Sequence, residues 1–261
     1  IGAAKAGNDD AIEAIIKEEL GQKFDPHLNQ FVPNNDPLWQ GGIIPTEEYP
    51  EPLEQRSTAI HVGRMGSSEK LKLYEIAQHQ IIEMGIRLRT FTNYFIDESE
   101  ANFKKPILEK LKAGVNFHCY ILTKNGRFAA DYFKDRAKVQ AGEEEAYKEM
   151  TLVRDKLCYI LKAINEEDTK GKMHLYQYNC FPYFHATAID LDRVFGKICI
   201  TQYLYGISRA NSPRFKLNQK KNMNAYGIYK KSIKSIISQS QKINLENIPP
   251  PNESNRQSPP S

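Results

Sequence analysis

Apolar residues recur at three- and four-residue steps in some stretches of the chain and alternate with polar ones in others, so the two periods divide it into elements. Residues 9–19 (DDAIEAIIKEE) open with carboxylates and then place Ile12, Ile15 and Ile16 on one side, which predicts a short amphipathic helix. From Gly21 to Arg56 the period is lost among prolines and Gly41-Gly42, the pattern of an extended linker or arm, with Trp39 as its apolar anchor. Ser67-Ser68-Glu69 followed by Leu73, Tyr74, Ala77 and Ile81 predicts a capped helix, after which Gly85 opens the strand candidate IRLRTFTNYF. Phe103, Ile107 and Leu111 form another helical stripe, stopped by Gly114, and VNFHCYILT (115–123) follows as a strand.

FAADYFKDRAKV predicts a short helix, and Ala146, Met150, Val153, Leu157, Leu161 and Ile164 mark a long amphipathic one. Three strands are expected in 172–178, 185–191 and 197–205. A last helix, roughly 224 to 241, buries Tyr226, Tyr229, Ile233 and Ile236 or Ile237. The Pro/Ser/Asn-rich run 247–261 is expected to be a disordered tail. The rhythm of helix, glycine and strand predicts an α/β domain with a substantially parallel sheet over 57–246, preceded by an N-terminal helix and arm in 1–56.

Composition sets bounds on this picture. The 261 residues are 40% hydrophobic and 26% charged, ordinary for a globular protein with a sizeable core. No run approaches the roughly 18 apolar residues of a membrane span, and the N-terminus lacks the positive start of a signal peptide, so a cytoplasmic location is expected. Cys119, Cys158, Cys180 and Cys199 show no C-x-x-C spacing, which predicts free thiols, with neither a disulfide framework nor a metal site and no cofactor. The net charge of +4 conceals an asymmetry. Arg193 to Glu246 holds eleven Lys/Arg and one acidic residue, whereas Val139 to Asp168 holds eight acidic and four basic. A basic C-terminal third favours anions: a nucleotide, a nucleic acid or an acidic partner.

The candidate chemistry lies in FHATAIDLDRVFGKICITQYLYG, Phe184 to Gly206. On a strand, His185, Thr187 and Ile189 point to one face and Ala186, Ala188 and Asp190 to the other. Asp192 stands at the strand end, where a hairpin reverses the chain. A histidine projected into a cleft acts as nucleophile or proton donor when cations hold an anionic substrate beside it; Arg193, Lys197, Arg209 and Arg214 are the candidates. Gly206, Ser208, Arg209, Asn211 and Arg214 form a loop whose amide, hydroxyl and guanidinium donors suit a phosphate. Tyr203 and Tyr205, sharing a strand face, are candidates for stacking on a base.

These elements and the motif HATAIDLD resemble the phospholipase D-like superfamily, whose signature is H-x-K-x-x-x-x-D. His185 matches the nucleophilic histidine and Asp192 the aspartate, while Thr187 replaces the phosphate-binding lysine. The resemblance spans roughly residues 57 to 241 and implies a phospholipase D-like mixed sheet flanked by helices. Losing one charged group that stabilises the transferred phosphoryl costs about 2.7 to 4 kcal/mol, and His27, His61, His79, His118 and His174 supply no second copy of the signature. The segment after the hairpin looks like that of phospholipase D-like domains accompanying helix-turn-helix regulators and prokaryotic signalling or defence proteins.

The expected function is therefore a non-catalytic binding or regulatory domain for a phosphate-containing ligand such as a nucleotide. One alternative is a homodimeric, metal-independent phosphodiesterase or nuclease using His185 and Asp192. Another is a nucleic-acid or protein interaction module built on the basic C-terminal third.

Overall fold

A computed structural model describes residues 60–96 and 103–246, together with the backbone of 22–25 and 30–33. The predicted helix at 9–19, Trp39 and the tail at 247–261 lie outside the described residues. The chain divides into two units, Ile1–Gln55 and Arg56–Ser261. In the first, β1 (Gln22–Asp25) pairs antiparallel with β2 (Gln30–Pro33), a small hairpin where the sequence pattern predicts only an extended arm. The two paired stretches, four residues each, are too brief for their alternation to register.

The second unit is a mixed α/β domain. In chain order it runs β3 (Ile60–Val62), α1 (Ser67–Glu75), β4 (Gln80–Gly85), α2 (Arg89–Ile96), α3 (Lys104–Lys112), β5 (Asn116–Leu122), α4 (Arg127–Ala137), α5 (Glu143–Lys148) and α6 (Met150–Asn165). Then follow β6 (Met173–Tyr178), β7 (Phe184–Ile189), β8 (Lys197–Gln202), β9 (Pro213–Asn218), α7 (Met223–Ser238) and β10 (Gln241–Lys242). Eight strands form one sheet in the order β10-β6-β5-β4-β7-β8-β9-β3. Only β4/β5 and β5/β6 pair in parallel; every other neighbour is antiparallel. The sheet is thus mixed and flanked by helices, as expected, with less parallel pairing than the rhythm of helix and strand predicts. Helical crossovers join β4 to β5 and β5 to β6, whereas the short connections between β7, β8 and β9 permit only antiparallel neighbours.

Each sheet face carries its own core. Ile81, Phe117, Cys119, Ile121, Met173, Leu175 and Ile189 pack under α1, α2, α3 and α6, with Tyr74, Phe91, Ile107, Leu111 and Leu157 descending onto them. On the other face Ile82, Met84, Tyr120, Leu122, Ala186, Ala188, Ile198 and Ile200 meet Tyr132 and Phe133 of α4 and Tyr226 and Ile233 of α7. The opposite parity of His185, Thr187 and Ile189 against Ala186 and Ala188 follows from this double-sided burial. Gly114 sits at φ +91° after α3, the left-handed conformation that ends a helix where a side chain is strained.

Four sequence expectations are corrected. The helix from Ser67 ends at Glu75, and Ile81 belongs to β4. No side chain caps it; Gly66 is the N-cap. IRLRTFTNYF is not a strand, because the strand is the preceding QIIEMG and Arg89–Ile96 is helical. Its β-branched and aromatic content misleads, since Phe91 and Phe95 stand one helical turn apart and contact each other edge to face. Arg214, expected in a loop, lies on PRFKLN, which forms β9 between β8 and β3. Among the described residues no helix is long and apolar enough to cross a membrane. The four cysteines are unbonded; Cys119, Cys158 and Cys199 are buried and Cys180 half-buried.

Candidate functional site

A polar stripe crosses the sheet on the α1 side. The pairing places Glu83 of β4 opposite Thr187 of β7, Thr187 opposite Cys199 of β8, and Cys199 opposite Lys216 of β9. One step further along, His185 faces Thr201 and Thr201 faces Arg214. Helix α1 lays Lys70 over this stripe. Lys70 Nζ lies 2.7 Å from Glu83 Oε2, with the two side chains 5% and 0% exposed. Glu83 Oε1 accepts from Tyr74 at 2.5 Å and from the Thr187 hydroxyl at 2.9 Å, so the buried carboxylate is fully engaged.

His185 stands beside this cluster, 15% exposed, with Nε2 3.6 Å from Glu83 Oε2. Burial holds its pKa well below the usual imidazole value, and Arg209, Lys70 and Arg64 push the same way, so the ring is neutral. Gly85 makes room for it: a Cβ there would stand 2.9 Å from His185 Cδ2.

His185, Thr187, Thr201, Arg209 and Arg214 line one small recess with Lys70 and Arg64. Its free volume is about 20 Å³, space for roughly one water. Arg64, Leu88, Thr90 and Arg209 also border an adjoining cleft of about 470 Å³, lined further by Arg87, Arg89, Arg136, Tyr132 and Tyr203. That volume suits a small organic ligand.

The cations of this region fall into two classes. Arg87 and Arg89 both reach Glu149, and Arg136 reaches Glu143. Arg136 also donates to the carbonyls of Leu204 and Ile207 at 2.8 and 3.1 Å, which ties down the loop after β8 and fixes Arg209 within it. Arg64 and Arg209 differ. Both guanidiniums approach the Thr90 hydroxyl, at 3.5 and 3.0 Å, and among the described residues neither has a carboxylate partner. Burial lowers the pKa of Arg64, and the like charge of Arg209 lowers it further.

Arg214 is 5% exposed; its Nη2 donates to Glu69 at 3.0 Å, but Nε and Nη1 are buried without any hydrogen-bond partner. Lys216 Nζ reaches the same Glu69 at 2.6 Å. Burial opposes ionisation of Glu69, yet Lys216 and Arg214 together hold its carboxyl below the usual range.

The structure separates the remaining sequence candidates from this recess. Asp192 lies beyond the far end of β7, half exposed, and pairs with Lys230 and Lys234 of α7 at 3.1 and 2.7 Å. It is not brought to His185. Arg193 is exposed in the same turn, and Lys197 borders a different depression with Glu69 and Lys216. Tyr203 faces the larger cleft, whereas Tyr205, past the end of β8, is 58% exposed, so the two do not share a strand face. The Ser208 carbonyl accepts from Ser212 Oγ and from the Asn211 amide, a turn that carries Arg209.

Lys70, Glu83, Arg64 and Thr90 are absent from the sequence candidates. Two of them left a trace. Glu83 interrupts the apolar strand QIIEMG at the parity of Ile81, and Lys70 lies four residues before Tyr74 on the apolar stripe of its helix.

No family model matches the chain. No curated protein matches it either. Among solved structures it is similar to TrmBL2, an archaeal chromatin protein whose structure shows a novel mode of DNA binding, with 13% identity and a TM-score of 0.41. The match covers 71% of this chain and 54% of that one, so the chain spans about half the length of TrmBL2.

Proposed function

We propose that residues 60–246 form a phospholipase D-like binding or regulatory domain that takes a phosphate-containing ligand such as a nucleotide without turning it over. The observation that supports this most is the pair Arg64 and Arg209, which converge on the Thr90 hydroxyl with no carboxylate of the described residues between them. Two like charges held together cost free energy that an anion bridging them recovers, and guanidinium forks match phosphate oxygens geometrically. The adjoining cleft supplies volume, and Tyr203 and Tyr132 supply ring surface for the remainder of the ligand.

The absence of turnover is read from the polar stripe. Thr187 brings no charge, and the ammonium that does come near it, Lys70 at 3.5 Å, is neutralised by Glu83. Asp192 is spent on α7. Among the described residues the one carboxylate beside His185 is Glu83, which Lys70, Tyr74 and Thr187 already engage.

Thermal unfolding of the purified chain with a panel of nucleotides and other phosphate esters tests the reading. A ligand present at 100 times its Kd stabilises by about 2.7 kcal/mol. Absence of any shift across the panel overturns the proposal.

A second reading is favoured by the open face of α7, where Lys230, Lys231 and Lys234 stand together. Such a face suits the phosphate backbone of a nucleic acid. Binding to duplex DNA that weakens steeply with salt is the expected result, and a flat salt response excludes it.

A further inference from the structure

The larger cleft carries more positive charge than its own carboxylates answer. Arg64, Arg87, Arg89, Arg136 and Arg209 all border it. Among the described residues two carboxylates pair with them, Glu143 with Arg136 and Glu149 with Arg87 and Arg89 together, so three positive charges stay unbalanced. These charges feel one another. Burial lowers the pKa of Arg64, and Arg209 and Arg89 push the same way; burial lowers Arg87 too, with Arg89 and Arg209 adding to it against the pull of Glu149.

The guanidiniums are grouped in pairs. Arg64 and Arg209 meet at the Thr90 hydroxyl, at 3.5 and 3.0 Å, while Arg87 and Arg89 meet at Glu149 Oε2, at 3.3 and 3.1 Å. One short turn carries both meeting points, because Arg89 and Thr90 are adjacent at the start of α2. Leu88 makes that turn. It is buried and left-handed at φ +53°, a backbone that a branched side chain adopts at a cost and keeps only where its surroundings fix it. No acidic residue stands in the first turn of α2, so the positive end of the helix dipole adds to the field of the arginines. Arg136 plays a different part. Glu143, Gln140 and the carbonyls of Leu204 and Ile207 occupy its nitrogens, so it shapes the wall of the cleft.

A ligand that answers this arrangement needs about three negative charges delivered at two neighbouring points. A phosphate monoester carries at most about two, on one phosphorus. Two linked phosphoryl groups carry about three and present a separate set of oxygens to each guanidinium pair.

We infer that the cleft selects a ligand with two directly linked phosphoryl groups, of the nucleoside diphosphate class, with one group on Arg64 and Arg209 and the next on Arg87 and Arg89. This rests on the proposed phosphate-ligand reading and adds to it the number and linkage of the phosphoryl groups. The volume of about 470 Å³ accommodates such a chain together with the remainder of the ligand beside Tyr132 and Tyr203.

Calorimetric titration of the full chain tests it, with a chelator present so that no divalent cation masks the phosphoryl charge. Adenosine 5′-diphosphate is compared with the 5′-monophosphate, which has one phosphoryl group, and with adenosine 3′,5′-bisphosphate, which has two that are not linked. The diphosphate is expected to bind at least tenfold more tightly than either, and inorganic pyrophosphate is expected to compete with it. Arg89 has a half-exposed side chain, so Arg89→Gln should keep the fold; it is expected to bring the preference for diphosphate over monophosphate below threefold. Glu149→Gln releases Arg87 and Arg89 from their carboxylate and is expected to raise diphosphate affinity at least threefold, a direction that loss of folding cannot produce. Equal affinity for mono- and diphosphate, a 3′,5′-bisphosphate that matches the diphosphate, a preference unmoved in Arg89→Gln, or an affinity that does not rise in Glu149→Gln overturns this inference and leaves the broader phosphate-ligand reading standing. Failure of every compound to bind, pyrophosphate included, overturns both.

Discussion

Lys70 and Glu83 form an ion pair 2.7 Å apart that is closed off from solvent beneath His185, reached from a helix on one side and a sheet strand on the other. The pair holds its charges by mutual contact and by the hydroxyls of Tyr74 and Thr187. Taking away one partner strands the other charge in the interior, so Lys70→Met is expected to cost about 3 to 5 kcal/mol. The double change Lys70→Met with Glu83→Gln is expected to cost less than Lys70→Met alone, because no unpaired charge remains. Urea denaturation of the three proteins measures this; a double variant that is the least stable of all contradicts the account.

Asp190 fastens the start of β4 to the end of β7. Its carboxylate accepts from the amides of Gln78, His79 and Gln80, each at 2.8 Å, and its own backbone is left-handed at φ +47°. Asp190→Ala loses the charge-assisted bonds and adds backbone strain, an expected loss of about 2 to 4 kcal/mol. Asp190→Asn retains an acceptor and tolerates the left-handed backbone, so it is expected to be the milder change in the same denaturation assay.

Gly85 is a test of the pocket that leaves its charges in place. In Gly85→Ala the new methyl meets His185 Cδ2 at 2.9 Å and the Tyr203 hydroxyl at 3.2 Å. Overpacking of this kind costs about 1 to 3 kcal/mol. Ligand affinity is expected to fall with it, since the ring and the hydroxyl both border the site. Unaltered stability and unaltered binding, measured by thermal unfolding with and without ligand, speak against this packing.

Acidification should weaken the fold before its carboxylates titrate. Burial lowers His185, and it lowers His118 to about 4 with the neighbouring His174 and Lys242 adding to the effect. In the unfolded chain these rings take up protons below about pH 6.5, and the folded chain does not, so the unfolded state binds more protons and stability falls as pH drops. The slope is about 1.4 kcal/mol per pH unit for each ring kept neutral. His118→Gln should flatten the decline between pH 6.5 and 5; a decline of the same slope in that variant assigns it to other groups.

Hydrolysis separates the binding reading from the catalytic one. With a chromogenic phosphodiester and a chelator present, the chain is expected to show no turnover above buffer, and His185→Ala to change nothing. Turnover that His185→Ala abolishes removes the non-catalytic reading.

The hydrophobic pattern by itself determined that β5 and β7 are strands, the stripes of α3, α6 and α7, and the placing of His185 and Thr187 on one face. These follow from local periods of 3.6 and 2 residues, which any core must respect. The pattern could not determine whether strands pair in parallel, because that depends on the length and path of connections. Nor could it separate a strand from a helix in IRLRTFTNYF, where composition and period disagree. The site was half legible for the same reason. His185, Thr187, Arg209 and Arg214 lie close together in sequence and line one recess, but Asp192, chosen by spacing, stands apart and pairs with Lys230 and Lys234 of α7. Lys70, Glu83, Arg64 and Thr90 come from segments about 100 residues or more away from the motif. Only the packing of α1 on β4 and β7, and of the loop after β8 against α2, joins those charges. Their balance of paired and unpaired groups is a property of three-dimensional distance, which one-dimensional spacing does not carry.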